Sequence, residues 1–162
     1  MARMGRLMMR AAIRIANRWW VFLPVFLTYV GLWALPATFW FESRSLNVAD
    51  SYVGEAPIVI EDRAVHFSFV GHYFTSTRFA ENPQEIAFGC TGDSTIHYRG
   101  GLDGLKSYDL AEYTDGKEAC RRLLPGTYFT EVCRTVERPL FGILPPKTAC
   151  STSNVFRVED KP

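Results

Sequence analysis

The longest uncharged stretch of the chain, residues 19–41, constrains its architecture more than any other feature. It reads WWVFLPVFLTYVGLWALPATFWF. As a helix rising about 1.5 Å per residue it would be about 35 Å long, and the hydrocarbon core of a bilayer is about 30 Å thick. Trp19 and Trp20 at one end and Trp40 at the other are typical of side chains that anchor a span at the membrane interfaces. We therefore predict a transmembrane helix at 19–41; a buried core helix is rarely so long and free of charge.

A basic segment without acidic residues, 1–18, precedes this stretch. Its arginines recur every three or four residues, which places them on one face of a helix. They are Arg3, Arg6, Arg10, Arg14 and Arg18. The positive-inside rule then places the N-terminus in the cytoplasm, the span in the cytoplasmic (inner) membrane, and the rest of the chain in the periplasm or the extracellular space. A cleaved signal peptide is the alternative, although its apolar region is usually shorter.

The arginine face also predicts a partner. Each arginine near an anionic leaflet contributes about 1 kcal/mol of attraction, so the amphipathic segment could lie along the anionic inner leaflet of the lipid bilayer. In the alternative interpretation, the arginines only fix the topology. Nucleic acid is not an expected partner, because attraction to phosphates is by itself unspecific.

The outer domain is predicted at 54–162, after a linker at 42–53. The stretch AVHFSFV, residues 64–70, alternates apolar with polar side chains and places Val65, Phe67 and Phe69 on one face of a half-buried strand. Gly71 predicts a bulge or bend in this strand. Further strands are predicted at EIAFGC, TIHYR, TYFTEVCRTVE and NVFRVED, separated by turns rich in glycine and proline. The pattern predicts a mainly β domain, an antiparallel sandwich or a related all-β architecture.

All the cysteines of the chain follow the predicted span: Cys90, Cys120, Cys133 and Cys150. An even number in an oxidising compartment predicts two disulfides. Three pairings are possible, and we favour Cys90–Cys120 with Cys133–Cys150, because each closes a moderate loop between neighbouring strand segments. Free thiols in a reducing compartment are an alternative. A zinc site is disfavoured, because it would usually show closely spaced pairs such as C-x2-C.

A turn at Pro125–Gly126 leads into the predicted strand that contains Tyr128. A tyrosine soon after such a turn often donates its hydroxyl to the backbone, as in the tyrosine corner of immunoglobulin-like domains. Simple core packing of Tyr128 is the alternative. The stretch LLPGTY is similar to the corners of immunoglobulin-like and fibronectin-like modules, and this resemblance implies an immunoglobulin-like β-sandwich.

Motifs for catalysis are missing from the sequence. It contains no G-x-S-x-G, no glycine-rich phosphate loop and no H-E-x-x-H. We therefore predict no enzyme, no catalytic residue, no metal site and no cofactor. The acidic stretch GGLDGLKSYDLAEYTDGKE is predicted to be a solvated loop, with calcium binding as an alternative. The stretch GILPPKTAC is predicted to be an exposed loop that could contact a partner.

Three stretches, FGCTGDSTIHYRGGL, CRRLLPGTYFTEVCRTVE and TSNVFRVED, follow the basic single span. Together they resemble small membrane-anchored sandwich proteins encoded in phage and prophage gene sets. The resemblance implies an architecture and assigns no catalytic residue. We expect an envelope protein whose β-sandwich binds another envelope or phage protein, or a second copy of itself. The alternative is a phage-related effector of the host envelope, acting in superinfection exclusion or lysis; an envelope enzyme with unrecognised chemistry is a third hypothesis.

Overall fold

The computed structural model describes residues 20 and 22–162, without the side chain of Phe88. It divides into two compact units, with the boundary between Leu35 and Pro36. The predicted basic segment 1–18 and the predicted interface anchor Trp19 lie outside the described residues. The same is true of the five arginines of that segment, Arg3, Arg6, Arg10, Arg14 and Arg18.

The first unit contains a helix, α1, at residues 20 and 22–33. Its large apolar side chains are exposed, among them Trp20, Phe22, Val25, Phe26 and Trp33. The last turn is closed by the N–H of Ala34, which donates to the carbonyl of Val30. Pro36 then stops the helix, because proline has no N–H and disfavours helical backbone in the residue before it. Among the described residues, the structure contains no helix with the length and apolar character needed to cross a membrane.

The prediction that a helix continues to Phe41 is wrong. Ala37–Phe39 form a short 3-10 helix, and a strand begins at Phe41. The side chains of Trp40 and Phe41 are each only 4% exposed. The carbonyl of Trp40 accepts a hydrogen bond from the N–H of His66, at 2.9 Å. Trp40 therefore belongs to the second unit. It is not a membrane-interface anchor, because its side chain is buried within that unit.

The second unit, Pro36–Pro162, consists mainly of strands. They are β1 (Phe41–Val48), β2 (Ser51–Tyr52), β3 (Ile58–Val65), β4 (Phe69–Phe79), β5 (Ile86–Tyr98), β6 (Leu102–Asp109), β7 (Gly126–Val136), β8 (Lys147–Thr152) and β9 (Phe156–Glu159). A one-turn helix, α2 (Leu110–Tyr113), follows β6, and 3-10 turns occupy Glu118–Arg121 and Pro139–Gly142.

These strands form two sheets. The first has the order β1-β3-β6, and the second has the order β2-β9-β7-β4-β5, with β8 also paired to β7. All pairs are antiparallel except the short β2–β9 pair, which is parallel. The prediction of a mainly β domain with antiparallel sheets is confirmed, and the arrangement is consistent with a β-sandwich.

The predicted linker at 42–53 is wrong, because this segment forms β1 and β2. In β1, Leu46 and Val48 are buried in the core, and Val48 pairs with Val59 of β3. The β unit therefore begins at Pro36 and not at residue 54. The polar run that separates Phe41 from Leu46 concealed the alternation typical of a strand.

The single strand predicted at 64–70 is also wrong. It is divided between β3, which ends at Val65, and β4, which begins at Phe69. Phe67 lies in the connection and stacks on Phe39, with ring centroids 5.0 Å apart. No bulge occurs at Gly71, whose pairing continues through β4. A Cβ at Gly71 would lie 2.6 Å from the ring of Phe69, so the glycine permits a close aromatic contact.

The buried core draws on both sheets. Leu46, Val48 and Val59 of the first sheet belong to one cluster with Val132 and Phe156 of the second. The side-chain amide of Asn154 fastens one flank of the β unit. Its oxygen accepts a hydrogen bond from the N–H of Val48 at 2.7 Å, and its nitrogen donates to the carbonyl of Val48 at 3.0 Å. On the opposite side, β5 and β6 are the end strands of different sheets. The interior is therefore accessible between β5 and β6.

The acidic stretch predicted to be a solvated loop instead forms β6 and α2. Asp109 caps α2 by accepting a hydrogen bond from the N–H of Glu112. The segment that follows packs on β5, where a Cβ at Gly92 would lie 2.6 Å from the Cα of Thr114. This segment therefore lies in close contact with the backbone of β5 at Gly92.

Candidate functional site

Both predicted disulfides are present, with the pairing that the sequence favours. Cys90–Cys120 is fully buried and ties β5 to the 3-10 turn at Glu118–Arg121. Cys133–Cys150 joins residues directly opposite each other on β7 and β8, nearer the surface. The prediction of two disulfides is confirmed. Both are structural cross-links within the β unit.

Tyr128 combines the two roles that the sequence left open. Its hydroxyl donates to the carbonyl of Leu124 at 2.8 Å, across the turn that contains Pro125 and Gly126. Its buried ring packs against Phe79, with ring centroids 5.0 Å apart. Burial raises the pKa of the Tyr128 hydroxyl above its ordinary value. These contacts stabilise the start of β7 and place no reactive group in a cleft.

The most distinctive polar feature is a buried ion pair between the two sheets. Glu61 on β3 and Arg134 on β7 have side chains that are 0% and 5% exposed. Arg134 Nη1 donates to Glu61 Oε1 at 2.8 Å, and Nη2 donates to Oε2 at 2.8 Å. The guanidinium also lies over the ring of Phe41, 4.7 Å from its centroid. This pair fixes the two sheets to each other.

Two hydroxyls add further hydrogen bonds to this pair. The hydroxyl of Tyr113 accepts from Arg134 Nη2 at 2.7 Å and donates to Glu61 Oε2 at 3.2 Å. Ser43 Oγ donates to Glu61 Oε1 at 3.2 Å. Buried charges are tolerated when their remaining lone pairs and protons are satisfied in this way.

A second guanidinium shares the same carboxylate. Arg63 Nη1 lies 3.5 Å from Glu61 Oε2, and its Nη2 donates to the hydroxyl of Tyr108 at 2.9 Å. The Nε atoms of Arg63 and Arg134 are both buried, and neither donates a hydrogen bond to a described residue. The cluster therefore contains two positive charges and one negative charge.

Electrostatics keep the cluster in one protonation state. Burial alone would lower the pKa of Arg134, but Tyr113 and Glu61 raise it above its ordinary value. Burial raises the pKa of the Tyr113 hydroxyl well above its ordinary value; Arg134 opposes this shift and Glu61 adds to it. Arg134 is therefore charged and Tyr113 neutral at physiological pH.

A cavity of about 380 Å³ opens beside this cluster, in the gap between β5 and β6. Its aromatic lining is supplied by both sheets and by α2, through Tyr73, Tyr98, Tyr108 and Tyr113. Buried Arg134 and half-buried Arg63 supply positive charge to the lining, while Arg99, in the turn after β5, is exposed. Glu112 is the acidic residue of the lining. The cavity therefore combines flat apolar walls with an excess of positive charge.

A second candidate surface is the loop at 139–146, which joins β7 to β8. Leu140 and Phe141 have φ values of 48° and 59°, in the left-handed region that residues other than glycine rarely adopt. Phe141 is fully exposed, at 101% of its reference area. Buried Pro139 and Leu144 hold the two sides of the loop. The loop includes Ile143, which belongs to the predicted contact stretch GILPPKTAC and is also exposed.

The sequence did not predict the ion pair or the cavity. Arg134 was the one sequence signal of a buried ion pair, because it lies on the inward face of β7 in alternation with Val132 and Val136. A charged residue on the apolar face of a strand indicates a buried partner. The predicted corner residues and disulfides lie elsewhere in the unit and are not brought together into one site. Within residues 20 and 22–162, no group of His, Cys, Asp or Glu side chains could hold a metal ion.

No protein-family model and no curated protein matches this chain.

Proposed function

We propose that this chain is a single-pass membrane-anchored protein whose β unit lies outside the cytoplasm and binds another protein, without catalysis. The 139–146 loop is the contact surface. The observation that carries the proposal is the fully exposed ring of Phe141 on a backbone where two residues other than glycine have positive φ.

The loop has the properties of a preformed contact. Positive φ at a residue such as Leu140 or Phe141 costs about 1–3 kcal/mol and persists only where the surrounding structure imposes it. Pro145 and Pro146 restrict the backbone just before β8, so that less conformational entropy is lost on binding. Aromatic side chains that enter a partner's pocket supply much of the energy of protein interfaces. An exposed Phe141 beside an exposed Ile143 fits this role.

Two features support the location of the β unit outside the cytoplasm and the membrane anchor. Disulfides such as Cys90–Cys120 persist in oxidising compartments and are rare in the cytosol. Helix α1 is apolar around its circumference, and such a helix requires an apolar environment. The corner at Tyr128 supports the further proposal that the sandwich is immunoglobulin-like.

The contact is tested by photo-crosslinking in the membranes of cells that naturally produce the protein. The full chain carries p-benzoylphenylalanine in place of Phe141, and a matched control carries it in place of Leu124, which is exposed in the turn before β7. We expect a discrete cross-linked protein from position 141 that is lost with Ile143→Ser and is absent from position 124. Equal cross-linking from both positions, or none from position 141, would overturn the proposal.

The compartment is tested by thiol labelling of intact cells. An impermeant maleimide should label the cysteines only after treatment with a reductant, because both disulfides lie outside the membrane. Labelling that requires permeabilisation would place the β unit in the cytoplasm and contradict the proposed topology.

A further inference from the structure

We propose that the cavity between β5 and β6 binds a small organic anion, a carboxylate or phosphate attached to a flat ring. This site is separate from the 139–146 loop, and it adds a small-molecule ligand to the protein contact proposed above.

The charge of the cluster around Glu61 favours an anion in the cavity. Arg63 and Arg134 line the cavity and share the single carboxylate of Glu61, which leaves one positive charge uncompensated. A charge that is removed from water without a partner is costly. Arg134 has the closer contact with Glu61, so the excess charge is mainly that of Arg63, whose side chain is 17% exposed and whose Nε donates no hydrogen bond to a described residue. An anion in the adjoining cavity would compensate this charge.

The charges of the remaining lining residues also favour an anion. Arg99 and His97 line the cavity from β5 and the turn after it, and both are exposed. Glu112 contributes the opposing negative charge. Over the whole lining, the three arginines outnumber Glu112 and the buried Glu61. A positive potential next to low-dielectric walls attracts anions and raises their local concentration. A guanidinium such as that of Arg99 can bind a carboxylate or a phosphate with two hydrogen bonds.

Aromatic side chains in fixed orientations form the walls of the cavity. The ring of Tyr98 is stacked on Phe69, with centroids 4.7 Å apart, which fixes its orientation. The hydroxyls of Tyr108 and Tyr113 are held by Arg63 and Arg134. Fixed aromatic faces favour flat rings that stack against them. The walls are therefore preorganised for a ring-bearing ligand.

The volume of the cavity suits a small ligand. A cavity of about 380 Å³ lies within the range of small-molecule sites. At about 30 Å³ per water molecule, it holds the volume of about a dozen waters. This is large enough for one ring with its charged group.

The experiment uses the full chain in detergent and isothermal titration calorimetry with four probes. Benzoate and its neutral isostere benzamide test the charge, and phenyl phosphate and inorganic phosphate test the ring. We expect saturable binding of benzoate, of phenyl phosphate or of both, about tenfold or more tighter than that of benzamide and inorganic phosphate. The tighter of the two ring anions identifies the acidic group.

Two substitutions locate the binding. Arg99→Gln removes an exposed cation of the opening, and Leu102→Trp fills space in the cavity. Each should weaken the ring anion about tenfold, whereas the matched control Arg122→Gln, at an exposed arginine outside the cavity lining, should leave it unchanged. The thermal unfolding midpoint of each variant reports whether it is folded. If Leu102→Trp fails to fold, Arg99→Gln alone decides whether the ring anion binds in this cavity.

Three results would overturn the proposal: no saturable binding of either ring anion, equal binding of benzoate and benzamide, or binding that Arg99→Gln leaves unchanged. None of these results depends on cross-linking at Phe141, so the two proposals can fail independently.

Discussion

Glu61 and Arg134 face each other across the interior of the β unit and join strands of different sheets through two 2.8 Å hydrogen bonds. Removing two charges from water costs several kcal/mol per ion, and only good geometry with further hydrogen bonds offsets that cost. Tyr113 and Ser43 supply those bonds. The pair therefore specifies how the two sheets meet more than it adds net stability.

Breaking this pair on one side should be more harmful than removing it. We expect Glu61→Leu to lower the free energy of unfolding by about 3–5 kcal/mol, because it leaves Arg134 buried without a carboxylate. The double variant Glu61→Leu/Arg134→Met should recover most of that loss, although Arg63 then loses its carboxylate as well. Urea unfolding of the full chain in detergent measures both values. If the double variant loses as much free energy of unfolding as Glu61→Leu and Arg134→Met lose together, the two charges are not coupled.

Tyr113 should make stability depend on alkaline pH. Its pKa is raised in the folded state above the unfolded value of about 10, so its contribution is complete below pH 10 and is lost as the pH rises further. One such group contributes a slope of up to about 1.4 kcal/mol per pH unit. Tyr113→Phe should cost about 1–3 kcal/mol at pH 7 by leaving its partners unsatisfied, and should make the alkaline loss shallower.

The measurement is the free energy of unfolding of the full chain between pH 7 and pH 11. Tyr52→Phe, at an exposed tyrosine of β2, is the control and should follow the parent protein. An unchanged alkaline slope in Tyr113→Phe would contradict the assignment of Tyr113 as a group with a raised pKa.

The two disulfides should differ in their resistance to reduction. Cys90 and Cys120 are fully buried, whereas Cys150 is exposed, so mild reductant should open Cys133–Cys150 first. Alkylation followed by mass spectrometry identifies the free thiols at each reductant concentration. Reduction of both bridges at the same concentration would indicate that the segment covering Cys120 opens readily.

Removing either bridge should destabilise the β unit. In the chain-entropy model, loops of 17 and 30 residues correspond to about 3 and 4 kcal/mol. We expect the larger loss from Cys90→Ala/Cys120→Ala, because β7 and β8 stay paired without Cys133–Cys150. The free energies of unfolding of the two double variants test this order.

Gly92 should not tolerate a side chain. Its Cβ would lie 2.6 Å from the Cα of Thr114, a backbone atom that cannot rotate away. We expect Gly92→Ala to cost about 1–3 kcal/mol by overpacking. Gly31→Ala is the control, because nothing lies within 4 Å of its Cβ, and it should leave the unfolding of the β unit unchanged. A neutral Gly92→Ala would mean that the segment after α2 is not fixed on β5.

Local patterns predicted much of the second unit. The alternation in TYFTEVCRTVE and NVFRVED indicated β7 and β9, and the four cysteines indicated two cross-links. The prediction of a membrane span at 19–41 was wrong at the C-terminal end of the stretch. Composition alone could not distinguish Trp40 and Phe41, which are buried among strands, from residues of a membrane span. Pro36, which stops the helix, is visible in the sequence, but membrane helices tolerate proline, so Pro36 alone does not mark the end of a span.

The candidate sites were harder to predict, because they depend on contacts between distant parts of the chain. Glu61 and Arg134 are 73 positions apart and lie on different sheets, so that only the packing of the two sheets reveals the pair. The cavity exists because β5 and β6, consecutive along the chain, belong to separate sheets. The membrane anchor, the topology and the phage-related alternative stay predictions.

The amide of Asn154 pairs with Val48 much as a neighbouring peptide group would, and it fastens one flank of the β unit. We expect thermal breathing of the two sheets to be larger at the other flank, because β5 and β6 are end strands of different sheets and are not paired with each other. Amide hydrogens near Ile96 on β5 and Leu105 on β6 should therefore exchange with deuterium before those of Val48 and its neighbours. Such breathing would let a ligand larger than the resting opening enter and leave the interior without global unfolding.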